Sequence, residues 1–259
     1  MNKDYIHPIF AKRPEKGTKL WRYMSFTKLM WMLENQALYF TRIDKFEDHF
    51  EGAWPKDDLE RLNKISGFNI PSFTYSMRSK VAVSCWLKDN HESAAMWRLY
   101  CPGNDGVAIN TTFEKLCAAI KIADIGHAVD LRDAAEVDYI DHFDDGFIKK
   151  LKPDDPLPNT LWPFMCKNKS YEHEKEVRAL LIANHGHEIE ESGAGIPIDP
   201  VNFIDEIVIN PFCDNWFIDT IKASLSKYKI DEKVKTSKLA KMNFYMTVKV
   251  NPDKKTAAA

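Results

Sequence analysis

The sequence predicts an α+β fold: a single domain of short-stranded mixed or antiparallel sheets with flanking helices. Three observations predict it. Strand-like and helix-like stretches interleave irregularly, without the steady strand–helix alternation of a doubly wound parallel sheet. Neither G-x-G-x-x-G nor G-x-x-x-x-G-K-[ST] occurs, so the common dinucleotide and phosphate cradles are absent. No internal repeat or low-complexity linker divides the 259 residues. The core is expected over about residues 18–240, with an arm at 1–17 and a tail at 241–259 lying peripherally.

Thr18 to Met24 is aromatic-rich and reads as a strand. Ser25 can cap a following helix, in which Phe26, Leu29, Met30 and Leu33 recur at helical spacing. Ala37 to Phe40 reads as a second strand, and Asp44 to Pro55 as an acidic, aromatic loop. An exposed helix is expected over 57–65. Val81 to Trp86 is a buried strand, and Glu92 to Tyr100 a helix of good formers after the capping-competent Asn90. Pro102 to Gly106 is a turn, Val107 to Asn110 a strand, and Thr111 to Ile122 an amphipathic helix. Glu136 to Ile140 reads as a strand, Leu161 to Lys169 as helical, and Glu176 to Ala183 as a central strand. Ile204 to Asn210 is a further strand, and Trp216 to Tyr228 a helix with Phe217, Ile218, Ile221 and Leu225 in one stripe.

A net charge of -2 disfavours a globally basic nucleic-acid binder. Charge is uneven, however. Seven acids against Arg132 fall between Asp130 and Asp145, and Lys222 to Lys255 carries +7. Two solvated surfaces account for both stretches, and the lysines leave open a phosphate-rich partner such as nucleic acid. Five widely spaced cysteines without C-x-x-C fit reduced thiols, and no apolar run suits a signal peptide or a membrane span. A cytoplasmic protein without a membrane partner is expected.

Three clusters could carry chemistry. Were Tyr171 to Arg178 extended, Glu172, Glu174, Glu176 and Arg178 would share one face, running into the core through Leu180 and Ile182. Such carboxylates beside an arginine can hold a shifted pKa or bind a hydroxylated ligand; the alternative is a salt-bridged strand end. In the second cluster, Glu92 lies beside Trp97 and Tyr100, a setting for stacking on a flat ring or for plain core packing. In the third, Arg22 sits between Trp21 and Tyr23 as a phosphate fork or as the ion-pair partner of Asp48 or Glu51. Histidines His49, His185 and His187 lack diagnostic spacing, so no metal is predicted.

The ordered set W-R-Y-M-S (21–25), L-Y-F (38–40), D-K-F-E-D-H-F-E-G (44–52), V-S-C-W (83–86), E-S-A-A-M-W-R-L-Y (92–100), G-V-A-I (106–109), K-S-Y-E-H-E-K-E-V-R (169–178) and I-D-E-I-V-I-N-P (204–211) resembles the bacterial domain-of-unknown-function family numbered 2971. The resemblance spans about Leu20 to Leu239. It departs from the family at Glu47 and His49, where the family loop usually has Asn and Pro. It implies a bacterial, phage-related setting and a toxin or phage-defence role.

The order of parts also resembles the ADP-ribosyltransferases, in which an arginine grips the pyrophosphate of NAD, an aromatic stacks on nicotinamide and a late glutamate holds the ribose. That resemblance implies NAD as cofactor and Arg22, with Tyr23, Trp97 and Tyr100, as its binding residues. Glu174, Glu176 and Arg178 would then be catalytic, with Asp48, Glu51, Glu92 and Lys169 as further candidates. Two other classes remain open. One is a non-catalytic sensor or interaction domain binding nucleic acid or protein. The other is a metal-dependent hydrolase or nuclease built on Asp48, His49 and Glu51.

Overall fold

A computed structural model describes residues 6–59, 62, 69–122, 129–143, 159–184 and 186–239. In chain order the main elements are β1 (Lys19–Ser25), α1 (Phe26–Asn35), β2 (Ala37–Arg42), α2 (Ile70–Met77), β3 (Val81–Lys88), α3 (Ala94–Tyr100) and β4 (Gly106–Thr112). There follow α4 (Phe113–Ile122), β5 (Val129–Glu136), β6 (Asp138–Ile140), β7 (Cys166–Asn168), β8 (Glu176–Ala183) and β9 (Ala194–Pro197). The last are α5 (Pro200–Phe203), β10 (Glu206–Ile209), α6 (Asn215–Ser226) and β11 (Val234–Thr236). The α+β expectation holds.

Nine strands form one sheet in the order β11-β10-β4-β1-β3-β2-β9, with β8 on β3 and β5 on β8. Pairing is antiparallel throughout this sheet except between β10 and β11; β6 and β7 form a separate parallel pair.

The sheet forks at β3. One edge of β3 pairs with β8 from Val81 to Leu87. The other edge is shared: Ala82 and Val83 pair with β2, whereas Leu87 and Lys88 pair with β1. Ser84, Cys85 and Trp86 therefore have no strand partner on that edge among the described residues. Sheet twist separates β1 from β2 beyond this point, and a sheet that splits opens a cleft lined by side chains of both branches.

Local rules set the elements as read. Ser25 accepts from the Lys28 amide at the start of α1, and Gln36, in the left-handed region at φ 46°, ends it. The cap of α3 is Ser93, three residues past Asn90, because its hydroxyl accepts from the Met96 amide. Leu29, Leu33, Leu116, Ile221 and Leu225 bury the stripes of α1, α4 and α6 against one side of the sheet. Phe10, Ile43, Val83, Phe164 and Leu180 form a second core on the other side.

Four expectations are corrected. The arm is not peripheral along its length: Phe10 is fully buried, and Arg13 bonds Asp133 at 2.6 Å. That same pair explains β5, which its acids concealed in the sequence, since Asp133 enters the sheet with a countercharge. Residues 161–169 are not one helix. A 3₁₀ turn (Trp162–Met165), β7 and the start of a second 3₁₀ turn (Lys169–Glu174) replace it, because Pro163 suits only a first turn. Finally, Asp58 and Leu62 are buried, so 57–65 is not simply exposed; residues 60, 61 and 63–65 of that stretch lie outside the described residues.

Candidate functional site

Lys175 sits in the left-handed region at φ 40°, between the 3₁₀ turn and β8. This kink breaks the two-residue alternation the sequence predicted. Glu172 stays exposed, while Glu174 and Glu176 both turn inward. What gathers them is Lys167 on β7, whose ammonium donates to Glu174 and, at 2.9 Å, to Glu176. Lys169, the lysine chosen from sequence, is exposed. Lys169 lies past the end of β7, in the 3₁₀ turn that follows, so the strand alternation that would give it the Lys167 face has already ended.

Arg178 lies deeper, 0% exposed. Its Nε donates to Glu176 at 2.6 Å, its Nη2 to Glu51 at 3.1 Å, and its Nη1 to the Phe164 carbonyl at 2.9 Å. Nη1 also lies 2.8 Å from the second Glu51 oxygen. Glu51 reaches this position because Gly52, at φ 72°, lets the loop press on Phe164; a Cβ there would stand 2.8 Å from that ring. Two cations thus meet three carboxylates in a nearly dry setting, which makes pairing obligatory.

The groups respond unequally. Burial works to raise Glu176, but the charges of Arg178 and Lys167 prevail and hold it well below the ordinary carboxyl value. Burial wins at Glu51, whose carboxyl is raised against the pull of Arg178. Burial also works against the Lys167 ammonium, yet Glu176 and Glu174 keep it charged and push its pKa up. The Tyr100 hydroxyl donates to Glu174 at 2.8 Å; burial and the Glu174 charge raise its pKa, so it remains a donor.

Arg22 occupies the fork. By strand alternation it shares a face of β1 with Leu20 and Met24. Its guanidinium donates to the Ser84 hydroxyl of β3 at 2.8 Å and to the Tyr39 carbonyl of β2 at 3.1 Å, and it lies 5.7 Å from the Trp86 ring centre. It bridges the two branches where backbone pairing is missing. Among the described residues no carboxylate pairs with it, since Glu51 has gone to Arg178 and Asp48 caps the Phe50 amide. Burial without a countercharge draws its pKa down to about 10.

These groups meet in one cleft of about 500 Å³, whose walls include Arg22, Tyr23, Tyr100, Lys167, Glu174 and Glu176. Asp48 and Glu51 also line it. Of the sequence candidates, Arg178 stands behind the wall and holds Glu176 rather than facing the cleft. Trp97 is likewise absent from it. Its ring is fully buried, edge-on to Tyr23 at 4.9 Å, and its indole donates to Glu92. Glu92 is also spoken for, accepting from the Ser237 hydroxyl at 2.6 Å. Core packing won in that cluster because the Trp97 edge of α3 faces the sheet.

Sequence reasoning missed Lys167, Tyr171 and Tyr139. Tyr171 lines the cleft with Lys167 Nζ 5.2 Å from its ring centre, and the Tyr139 hydroxyl accepts from the Glu176 amide at 2.7 Å. The signal for Lys167 lay in K-x-K before a Glu-rich turn. No group of three or more His, Cys, Asp or Glu among the described residues is placed to hold a metal ion. No helix among them is long and apolar enough to cross a membrane. Of the lysine-rich segment, residues 240–255 lie outside the described residues, and Lys233 is turned inward onto the Ile204 carbonyl.

Fold and site together define an α+β protein with a charged cleft at a sheet fork. Residues 96–179 match a family model described as a protein of unknown function (DUF2971), so the resemblance read from the motifs stands over that stretch. It runs from α3 into β8 and carries Tyr100, Lys167, Glu174, Glu176 and Arg178, while Arg22 and Glu51 lie outside it. No curated protein and no solved structure matches the chain.

Proposed function

We propose that the protein is an NAD-using, ADP-ribosyltransferase-like enzyme. The observation that carries this reading is Arg22, a desolvated cation with no carboxylate partner among the described residues, facing a cleft whose far wall is carboxylate-rich. A half-buried guanidinium without a counterion favours an anion, and a pyrophosphate supplies one. The opposite end suits the cationic nicotinamide riboside, with Glu174 for the ribose. Both Glu174 oxygens already accept one bond, from Tyr100 and Lys167, and each has a lone pair left for a ribose hydroxyl.

In the reaction the bond between ribose C1′ and the nicotinamide nitrogen breaks. Its electron pair stays with nicotinamide, which leaves neutral. Glu174 stabilises the positive charge that develops on the ribose, and an acceptor oxygen or nitrogen closes on C1′ and sheds its proton. Tyr100 and Lys167 fix the Glu174 side chain and so spare it reorganisation in the transition state. The five free thiols support a reducing compartment, the cytoplasm, where NAD is available. Directed at a macromolecular acceptor, such chemistry suits a toxin or a phage-defence protein.

Glu174→Gln keeps the Tyr100 hydrogen bond and removes the charge. Nicotinamide release from NAD, measured by chromatography with cell extract as acceptor source, is expected to fall by about 10²-fold or more in this variant, with circular dichroism showing that the fold is kept, since Lys167 still pairs with Glu176. An unchanged release rate, or none from the wild type, overturns the reading.

A further inference from the structure

A second groove of about 370 Å³ adjoins the cleft, lined by Arg22, Met24, Lys28, Trp31, Tyr39 and Thr41 among others. Arg22, Met24, Lys28 and Thr41 line both spaces, so the two abut along these residues. The halves differ in charge. The second groove has two cations, Arg22 and Lys28, and no acid. The first is mixed, with Glu47, Asp48, Glu51, Glu174 and Glu176 set among Arg22, Lys28, Lys45 and Lys167.

Trp31 supplies the second groove's flat surface. It lies on the outer side of α1 and is 39% exposed, large for an aromatic ring set in a groove. Its position is fixed on two sides. Tyr39 meets it edge-on at 5.2 Å, and the absent Cβ of Gly195 lets β9 run beneath it, since a methyl there would stand 3.2 Å from the indole. Tyr39 is itself held by its hydroxyl on the Ser192 carbonyl. A braced, exposed indole beside two cations that have no carboxylate partner among the described residues has the parts of a site for a planar base joined to phosphates.

We infer that this groove is a nucleoside-diphosphate subsite, with the base on Trp31 and the phosphates over Arg22 and Lys28. Where the function proposed above holds, this is the adenosine end of NAD, and the carboxylates, which line only the first cleft, set the direction in which the dinucleotide lies. The inference rests on that reading only for this orientation; the subsite itself rests on the groove.

Calorimetric titration of the full chain with ADP, and separately with nicotinamide mononucleotide, tests it. Trp31→Ala is expected to weaken ADP by about tenfold or more, the worth of one base stacked on an aromatic ring. Trp31→Phe should retain most of the affinity. Nicotinamide mononucleotide should change by less than about threefold in either variant, since it does not reach Trp31. ADP that fails to bind the wild type, or that binds Trp31→Ala equally well, overturns the subsite. Equal weakening of both ligands points to disturbed packing on Gly195 and overturns it too. Trp31-dependent ADP binding without nicotinamide release keeps the subsite and sinks the enzyme reading; the reverse pattern does the opposite.

Discussion

Arg22 and Arg178 are both strand arginines beside aromatic residues, the first half-buried and the second fully buried, and they have opposite fates. Arg178 is ringed by Glu176, Glu51 and the Phe164 carbonyl, all close enough for short hydrogen bonds. Arg22 has a hydroxyl and a carbonyl but no carboxylate among the described residues. Desolvation lowers the Arg22 pKa to about 10, whereas the two glutamates drive that of Arg178 above its ordinary value against fuller burial. A satisfied cation is part of the scaffold. One held only by neutral acceptors at the lining of a cleft is the group on which the proposed nucleotide site rests.

Removing the scaffold charge breaks this contrast most visibly. Arg178→Met strands Glu51 in the interior and leaves Glu176 with Lys167 alone, and is expected to cost about 3–5 kcal/mol in a urea unfolding experiment. A loss below about 1 kcal/mol would place Arg178 outside the scaffold.

Next in size are its two partners, which also sharpen the pH behaviour. Glu176→Gln is expected to cost about 2 kcal/mol at pH 7, and Glu51→Gln less, because burial already disfavours the Glu51 charge. The folded-state pKa of Glu176 is depressed below its ordinary 4.5, so the folded protein gives up that proton more readily than the unfolded chain. Its contribution is therefore present above that value and lost as pH falls towards the folded one. Glu51 is raised and works the other way, its contribution fading as pH rises. Unfolding midpoints between pH 5 and 3 should thus flatten in Glu176→Gln and stay steep in Glu51→Gln (pH window set by the ordinary carboxyl value of ~4.5).

The smallest expected stability change is at Arg22. Arg22→Met gives up two neutral-acceptor hydrogen bonds but relieves a half-buried charge that has no carboxylate partner among the described residues, so stability should stay within about 1 kcal/mol of wild type.

Much of the fold could be read from the sequence where local rules act alone. Ser25 capped α1 as expected, the α6 stripe buried Phe217, Ile221 and Leu225, and the β8 apolar run lies at full burial. The readings failed where a distant partner decided the outcome. Asp133 could enter β5 only because Arg13 comes from more than a hundred residues away. Arg22 and Glu51 could be paired on paper, since nothing in the sequence says that Arg178 takes Glu51 first. Lys167 was hidden because its role depends on a kink at Lys175, and a left-handed lysine has no sequence signature. The cleft itself follows from β3 dividing one edge between two strands, a tertiary fact that no periodicity carries.

The most direct test compares NAD binding by titration calorimetry in wild type and Arg22→Met, with unfolding measured on the same samples. The account predicts saturable binding to the wild type, weakened by about tenfold or more in a variant that unfolds at nearly the wild-type midpoint. Equal NAD affinity in the two proteins, or no NAD binding by the wild type, would contradict the claim that Arg22 is the open cation of a nucleotide site.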